Sequence, residues 1–133
     1  MKKSLHLLLP IVFPFVLAAC GSTSTAPPVS DEEAINAVLD RLEVDCGEVV
    51  DNVDDFRING WQEVNERNLI VEAGVNSYYL LSLSSFCPEL NFATRIAMDI
   101  RGFRLTRGDT VLVTSNRMVT RCQIDEITEL VDR

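Results

Sequence analysis

The side chains of this chain that can ionise strongly or attack a substrate are four cysteines, twenty carboxylates, twelve lysines and arginines, and one histidine. Both lysines (Lys2, Lys3) and His6 lie at the very start. From Cys20 onward, ten arginines are the only cations against all twenty acids, so the formal charge there is −10 rather than the −8 of the whole sequence. That stretch has no lysine and no histidine. Schiff-base lysines, Ser–Lys dyads, every histidine-based dyad or triad and histidine-ligated metals are therefore excluded there. What remains for catalysis is carboxylate pairs, tyrosines and an unassisted cysteine. A carboxylate pair must face a substrate across about 5 to 9 Å, and no acidic cluster stands out from the general acidity. The expectation is a protein that is not an enzyme and uses no cofactor.

Cys46, Cys87 and Cys122 are separated by 41 and 35 residues, with no CxxC spacing and no histidine nearby. That pattern argues against a zinc site. In an oxidising compartment one disulfide is expected. Loop closure gives about 4 kcal/mol for either Cys87–Cys122 or Cys46–Cys122. Cys87–Cys122 is preferred because both cysteines sit at the edges of predicted strands. Cys46 is then an alternative partner or a free thiol.

Charge is unevenly placed. Residues 31–72 hold thirteen acids and three arginines, whereas residues 73–133 hold seven of each. In the second half, Arg95, Arg101, Arg104 and Arg107 have only Asp99 among them. Arginine forks suit phosphates and carboxylates, so Arg101, Arg104 and Arg107 are candidates for an anionic lipid or glycan. The alternative is that they pair with the acidic first half. Nucleic acid is disfavoured as a partner by the overall negative charge. The run Asp51-Asn52-Val53-Asp54-Asp55 lacks the alternating ligands and the glycine of a calcium loop, so it reads as a polar turn and no metal is expected. Trp61, Tyr78 and Tyr79 are the candidate aromatic recognition residues. Tyr78 and Tyr79, adjacent on a predicted strand, must face opposite sides. One is expected in the core and the other exposed.

The elements that position these residues fall in three parts. Residues 1–19 read as a secretion signal: Met1-Lys2-Lys3-Ser4 is cationic, and Leu5 to Leu17 is apolar but broken by Pro10 and Pro14. A helix from Leu5 to Ala19 would span only roughly 22 Å, short of the ~30 Å hydrocarbon core. The segment ends in Leu17-Ala18-Ala19-Cys20-Gly21, which resembles a bacterial lipobox, with Cys20 Sγ as the attachment point for diacylglycerol. Two or three acyl chains anchor firmly where one does not. Ser22 after Gly21, in place of aspartate, resembles the enteric pattern for the outer membrane. Residues 20–29, lipidated cysteine and a polar, proline-containing stretch, are expected to form a disordered tether. Residues 30–133 are expected to fold as one domain.

Within that domain, Ser30-Asp31-Glu32-Glu33 has the form of a capping box. Ala34, Ile35, Val38, Leu39 and Leu42 follow at helical spacing, predicting a helix from 31 to about 43. Short β-rich runs then alternate with turns. Leu69–Val71 and Tyr78–Leu83 flank Gly74 and Asn76; Ile96, Met98 and Ile100 alternate; Arg107-Gly108-Asp109 precedes Thr110–Val113. The last apolar series, Val119, Cys122, Ile124, Ile127 and Leu130, fits a strand, a helix or one followed by the other. The fold class expected is mainly β (α+β by count): a small antiparallel roll or barrel of about six strands preceded by one N-terminal helix.

The order of Cys46, Trp61, Leu69 to Val71, Tyr78 to Leu83, Cys87-Pro88-Glu89-Leu90, Gly108-Asp109 and Cys122-Gln123-Ile124 resembles a family of short Gram-negative lipoproteins catalogued as a domain of unknown function. The resemblance covers about residues 46 to 127. It implies a lipid-anchored envelope protein and transfers no activity. It also implies one disulfide fewer than the family's two, because Thr106 stands where the family often has a fourth cysteine. The functional expectation is a non-enzymatic module held by Cys20 in the inner leaflet of the outer membrane, facing the periplasm. Such a module would bind an envelope protein or glycan. The alternatives are a carboxylate-dependent hydrolase of cell-wall glycan and a purely structural lipoprotein.

Overall fold

The structure is a computed structural model that describes residues 30–133. The expected signal segment (1–19) and the expected lipidated Cys20 with its tether (20–29) lie outside the described residues. The first element is the expected helix, α1 (Ser30–Leu42), with Asp31, Glu32 and Glu33 in its first turn, where negative charge meets the positive end of the helix dipole. Nine strands follow: β1 (Val44–Val50), β2 (Asn52–Val53), β3 (Ile58–Glu63), β4 (Asn68–Ala73), β5 (Ser77–Leu83), β6 (Arg95–Asp99), β7 (Leu105–Thr106), β8 (Thr110–Ser115) and β9 (Met118–Asp132). A 3-10 turn, Pro88–Phe92, lies between β5 and β6. The main sheet is antiparallel and runs β3-β4-β5-β9-β8-β6, with β1 added on β9, while β2 and β7 form a separate ribbon. Six strands on the main path make a nearly closed barrel-like sheet, as the sequence predicts.

β9 is the common wall. One of its edges pairs with β5 over residues 124–130. Gln123 C=O accepts from Ser84 N–H on that edge, whereas Ile124 N–H and C=O both face residues 108–109 on the other. That second edge serves β8 through residues 118–123 and β1 through residues 127–132. β1 bulges between Cys46 and Val49. There Gly47 comes so close that a Cβ would meet Glu129 O at 2.9 Å and Val131 Cγ1 at 3.0 Å.

Side-chain alternation separates two cores. Leu69, Val71 and Ala73 of β4, Leu81 and Leu83 of β5, and Ile124 and Ile127 of β9 face inward with Phe56, Leu90, Leu105, Val111 and Val113. Ile70, Leu80 and Leu130 face outward and are covered by Ile35, Val38 and Leu39 of α1, with Val44 beside them. The Cys87–Cys122 disulfide, Cα–Cα 6.3 Å, stitches the segment after β5 to β9 within the inner core. No cysteine is free among the described residues, and Cys46 has a partner too. This corrects the expectation of a leftover thiol at Cys46.

Candidate recognition surface

The predicted aromatic residues meet through strand register. Trp61 pairs with Val71, Val71 with Tyr79, and Tyr79 with Glu129, a row running across β3, β4, β5 and β9. Directly opposed residues in antiparallel strands share a face, and Trp61 and Tyr79 both pack against the inner cluster while remaining half-buried. Tyr78 points the other way and packs against the cluster under α1. The tyrosines thus take opposite faces, but the expected division into one core and one exposed ring is corrected: both are half-buried, because each face has its own core. A shallow depression of about 230 Å³ opens beside them, lined by Asn76, Ser77, Tyr78, Tyr79, Glu129 and Leu130 among others. It is smaller than the ~300 Å³ at which small-molecule pockets begin. The Tyr79 hydroxyl is held above its ordinary range, first by burial and then by the charge of Glu129.

The arginine candidates do not form one cationic patch. Arg104 Nε donates to Asp54 Oδ1 at 2.6 Å, and Arg107 lies 3.8 Å from Asp51. The chain brings these partners together because residues 51–56 run antiparallel to 103–107, through the β2–β7 ribbon and the Phe56 N–H to Phe103 C=O bond. Two of the three acids in the run at 51–55 are therefore engaged by these arginines. Arg101 has no carboxylate partner among the described residues and stands at the bridge with Arg104. Where pairs are exposed like these, each contributes little to stability.

One carboxyl is perturbed. Glu63, opposite Leu69 at the end of β3, is raised above the usual carboxylate range, first by burial and second by the charge of Glu66. Glu66 accepts from Asn91 Nδ2 at 2.9 Å. Neither glutamate lines either of the two best-formed surface depressions. Among the described residues no group of three or more histidine, cysteine, aspartate or glutamate side chains is placed to hold a metal ion. No helix among them is long and apolar enough to cross a membrane.

Sequence reasoning missed the exposed apolar residues Phe86, Phe92, Met118 and Val119. The signal was present at one of these places: Met118-Val119 follows Asn116-Arg117 directly, and a hairpin tip with two apolar residues is unusual for a solvated turn.

A family model described as "Family of unknown function (DUF6491)" matches residues 1–133. No curated protein and no solved structure matches the chain.

Proposed function

The chain belongs to that family of unknown function, so membership brings no activity with it, and we propose that it is a lipid-anchored module of the cell envelope that works by binding. The observation that carries this reading is the order of segments at the start of the sequence. A cationic start and a proline-broken apolar run come first, then Leu17-Ala18-Ala19-Cys20-Gly21 and a polar stretch leading to the folded domain. Cys20 accepts the lipid, Ser22 directs the protein to the outer membrane, and the domain faces the periplasm. The tether then raises the local concentration of the domain near its partner.

The domain supports a binding role. Its inner face is a continuous apolar cluster, the depression beside Tyr78 and Tyr79 is shallow, and two of its candidate arginines are already paired. The row Trp61–Tyr79–Glu129 offers two rings and a carboxylate on one face of the sheet, a combination that stacks on a sugar and accepts its hydroxyl protons.

The anchoring part is tested by the mass of the N-terminal peptide from envelope fractions. The expected result is a peptide that starts at Cys20 and carries diacylglycerol. A peptide that retains residues 1–19, or one with Cys20 as a thiol or in a disulfide, overturns it, since a thioether sulfur cannot also bond to a second sulfur. The hydrolase reading has one specific observation in its favour, the raised carboxyl of Glu63 beside Glu66. Incubation with purified peptidoglycan decides between the two. Release of soluble fragments by the native chain, lost in Glu63→Gln, would replace binding with catalysis; unchanged peptidoglycan retained by the protein supports binding.

A further inference from the structure

The residues that close one rim of the barrel are apolar where solvated turns are usually polar. Phe86 is 61%, Phe92 71%, Met118 71% and Val119 61% exposed. Hydrogen bonds tie the segments that carry them. Cys87 N–H, next to Phe86, donates to Glu66 C=O, and Asn91, next to Phe92, donates to the Glu66 side chain. Thr94 N–H donates to Thr114 C=O, and Thr114 is the partner of Val119 in the β8–β9 hairpin. The tip of that hairpin is a two-residue turn with both Asn116 and Arg117 at positive φ, a tight convex connection rather than a groove.

A separate observation says what this rim faces. Asn65, the neighbour of Glu66 in the β3–β4 turn, donates from Nδ2 to Asp31 Oδ1 at 2.6 Å. The first turn of α1 therefore sits on the same rim, and the chain preceding it enters the domain there. Ten residues, Cys20 to Val29, precede α1, a reach of at most about 35 Å. A lipid on Cys20 holds this rim, and not the opposite end of β6, at the bilayer.

We propose that the rim of Phe86, Phe92, Met118 and Val119 docks into the bilayer interface next to the anchor, with Arg95 and Arg117 at the headgroup phosphates. Its orientation rests on the anchoring reading above. Arg95 and Arg117 have no carboxylate partner among the described residues, and arginine next to exposed aromatic and aliphatic groups suits the interface. The acids on the rim are partly occupied: Glu66 bonds to Asn91, Asp31 to Asn65, and Glu63 and Glu89 are half-buried. Glu32 and Glu33 are exposed in the first turn of α1 and line a separate depression with Asp40, so the apolar residues of the rim, and not its net charge, carry the docking.

The test uses the full chain as the cell makes it, incorporated into vesicles of phosphatidylethanolamine and phosphatidylglycerol with brominated acyl chains. Trp61 is the native reporter, and Phe92→Trp adds a second on the rim. Phe103→Trp is the control, an exposed ring beyond the far end of β6 that sits over the Arg57 guanidinium. The expected result for Phe92→Trp is a blue shift and a loss of the added emission, as for a ring buried at the boundary of headgroups and acyl chains. The loss is relieved by Met118→Ser with Val119→Ser and is absent in Phe103→Trp. Equal quenching at both positions, or none at Phe92→Trp, overturns the proposal. An acylated protein whose Phe92→Trp emission is unquenched defeats the docking alone. An unacylated one that is quenched defeats the anchoring alone. Phe92→Trp emission that shifts only when envelope proteins are added would assign the rim to a protein partner and overturn the bilayer.

Discussion

The barrel has two cores of unequal kind. The inner one gathers residues from nearly every strand and is crossed by a disulfide. The outer one rests on one helix, and its contribution from the sheet is Ile70, Leu80 and Leu130 with Val44 at the edge. Both use the same strands, since β4 and β5 send alternate residues to each. The inner core makes the barrel; the outer one fastens α1 to a wall that already stands. Substitution in one should collapse the molecule, and substitution in the other should loosen a single element.

The largest effect is expected from the covalent tie. Cys87→Ala with Cys122→Ala releases a loop of 35 residues and should cost about 4 kcal/mol, read as a lower midpoint in denaturant. If the loss is under ~1 kcal/mol, the inner core does not depend on the stitch. Next, Ile70→Ala, which empties space under α1 and leaves the inner cluster alone, should cost about 2–4 kcal/mol. Hydrogen exchange should show α1 amides losing protection while β8 keeps its own. Uniform loss across both would erase the distinction between the cores.

A smaller effect belongs to Arg133, which forks to Asp40 at 2.7 Å and Asp45 at 2.9 Å and ties the last strand to the α1–β1 connection. Those hydrogen bonds, Asp40 first, raise the already high pKa of its guanidinium. All three groups are exposed, so Arg133→Ala should produce only a slight, salt-sensitive drop in melting temperature. The smallest effect, and the one with a pH signature, is at Glu63. Its folded pKa lies above its unfolded value, so the folded state holds the proton longer and stability falls as pH rises from the ordinary glutamate range through the raised value. Glu63→Gln should remove that fall, giving its gain toward neutral pH and none in acid. A gain that persists in acid would show that burial of charge is not the cause.

Much of the frame was legible in the sequence because it is local. Apolar residues at helical spacing from Ala34 to Leu42 give α1, and Gly74 with Asn76, both at positive φ in the structure, mark the β4–β5 turn. β9 was ambiguous for a physical reason. Its inward residues Cys122 and Ile124 alternate. Then the register shifts opposite Ser82–Leu83, and Ile127, Thr128 and Leu130 are buried on two different faces. Cys122, Ile124, Ile127 and Leu130 therefore imitate a helical stripe. β1 was invisible because only Val44 along it is buried. Of the candidate site, the opposed faces of Tyr78 and Tyr79 follow from strand geometry alone. The union of Trp61 with Tyr79 and Glu129 needs the register of four strands. The pairing of Arg104 with Asp54 spans fifty residues and has no local signature.

The sharing of β9 has a consequence in time. Every strand that pairs with it (β1, β5 and β8) is made earlier and has no substitute edge to close upon. Hairpins such as β4–β5 can form as they emerge, but the wall that joins them arrives only with residues 118–132. Contacts of such long sequence separation make folding slow relative to helical domains of this size. The chain therefore stays open, with its inner face uncovered, until the last strand is in place.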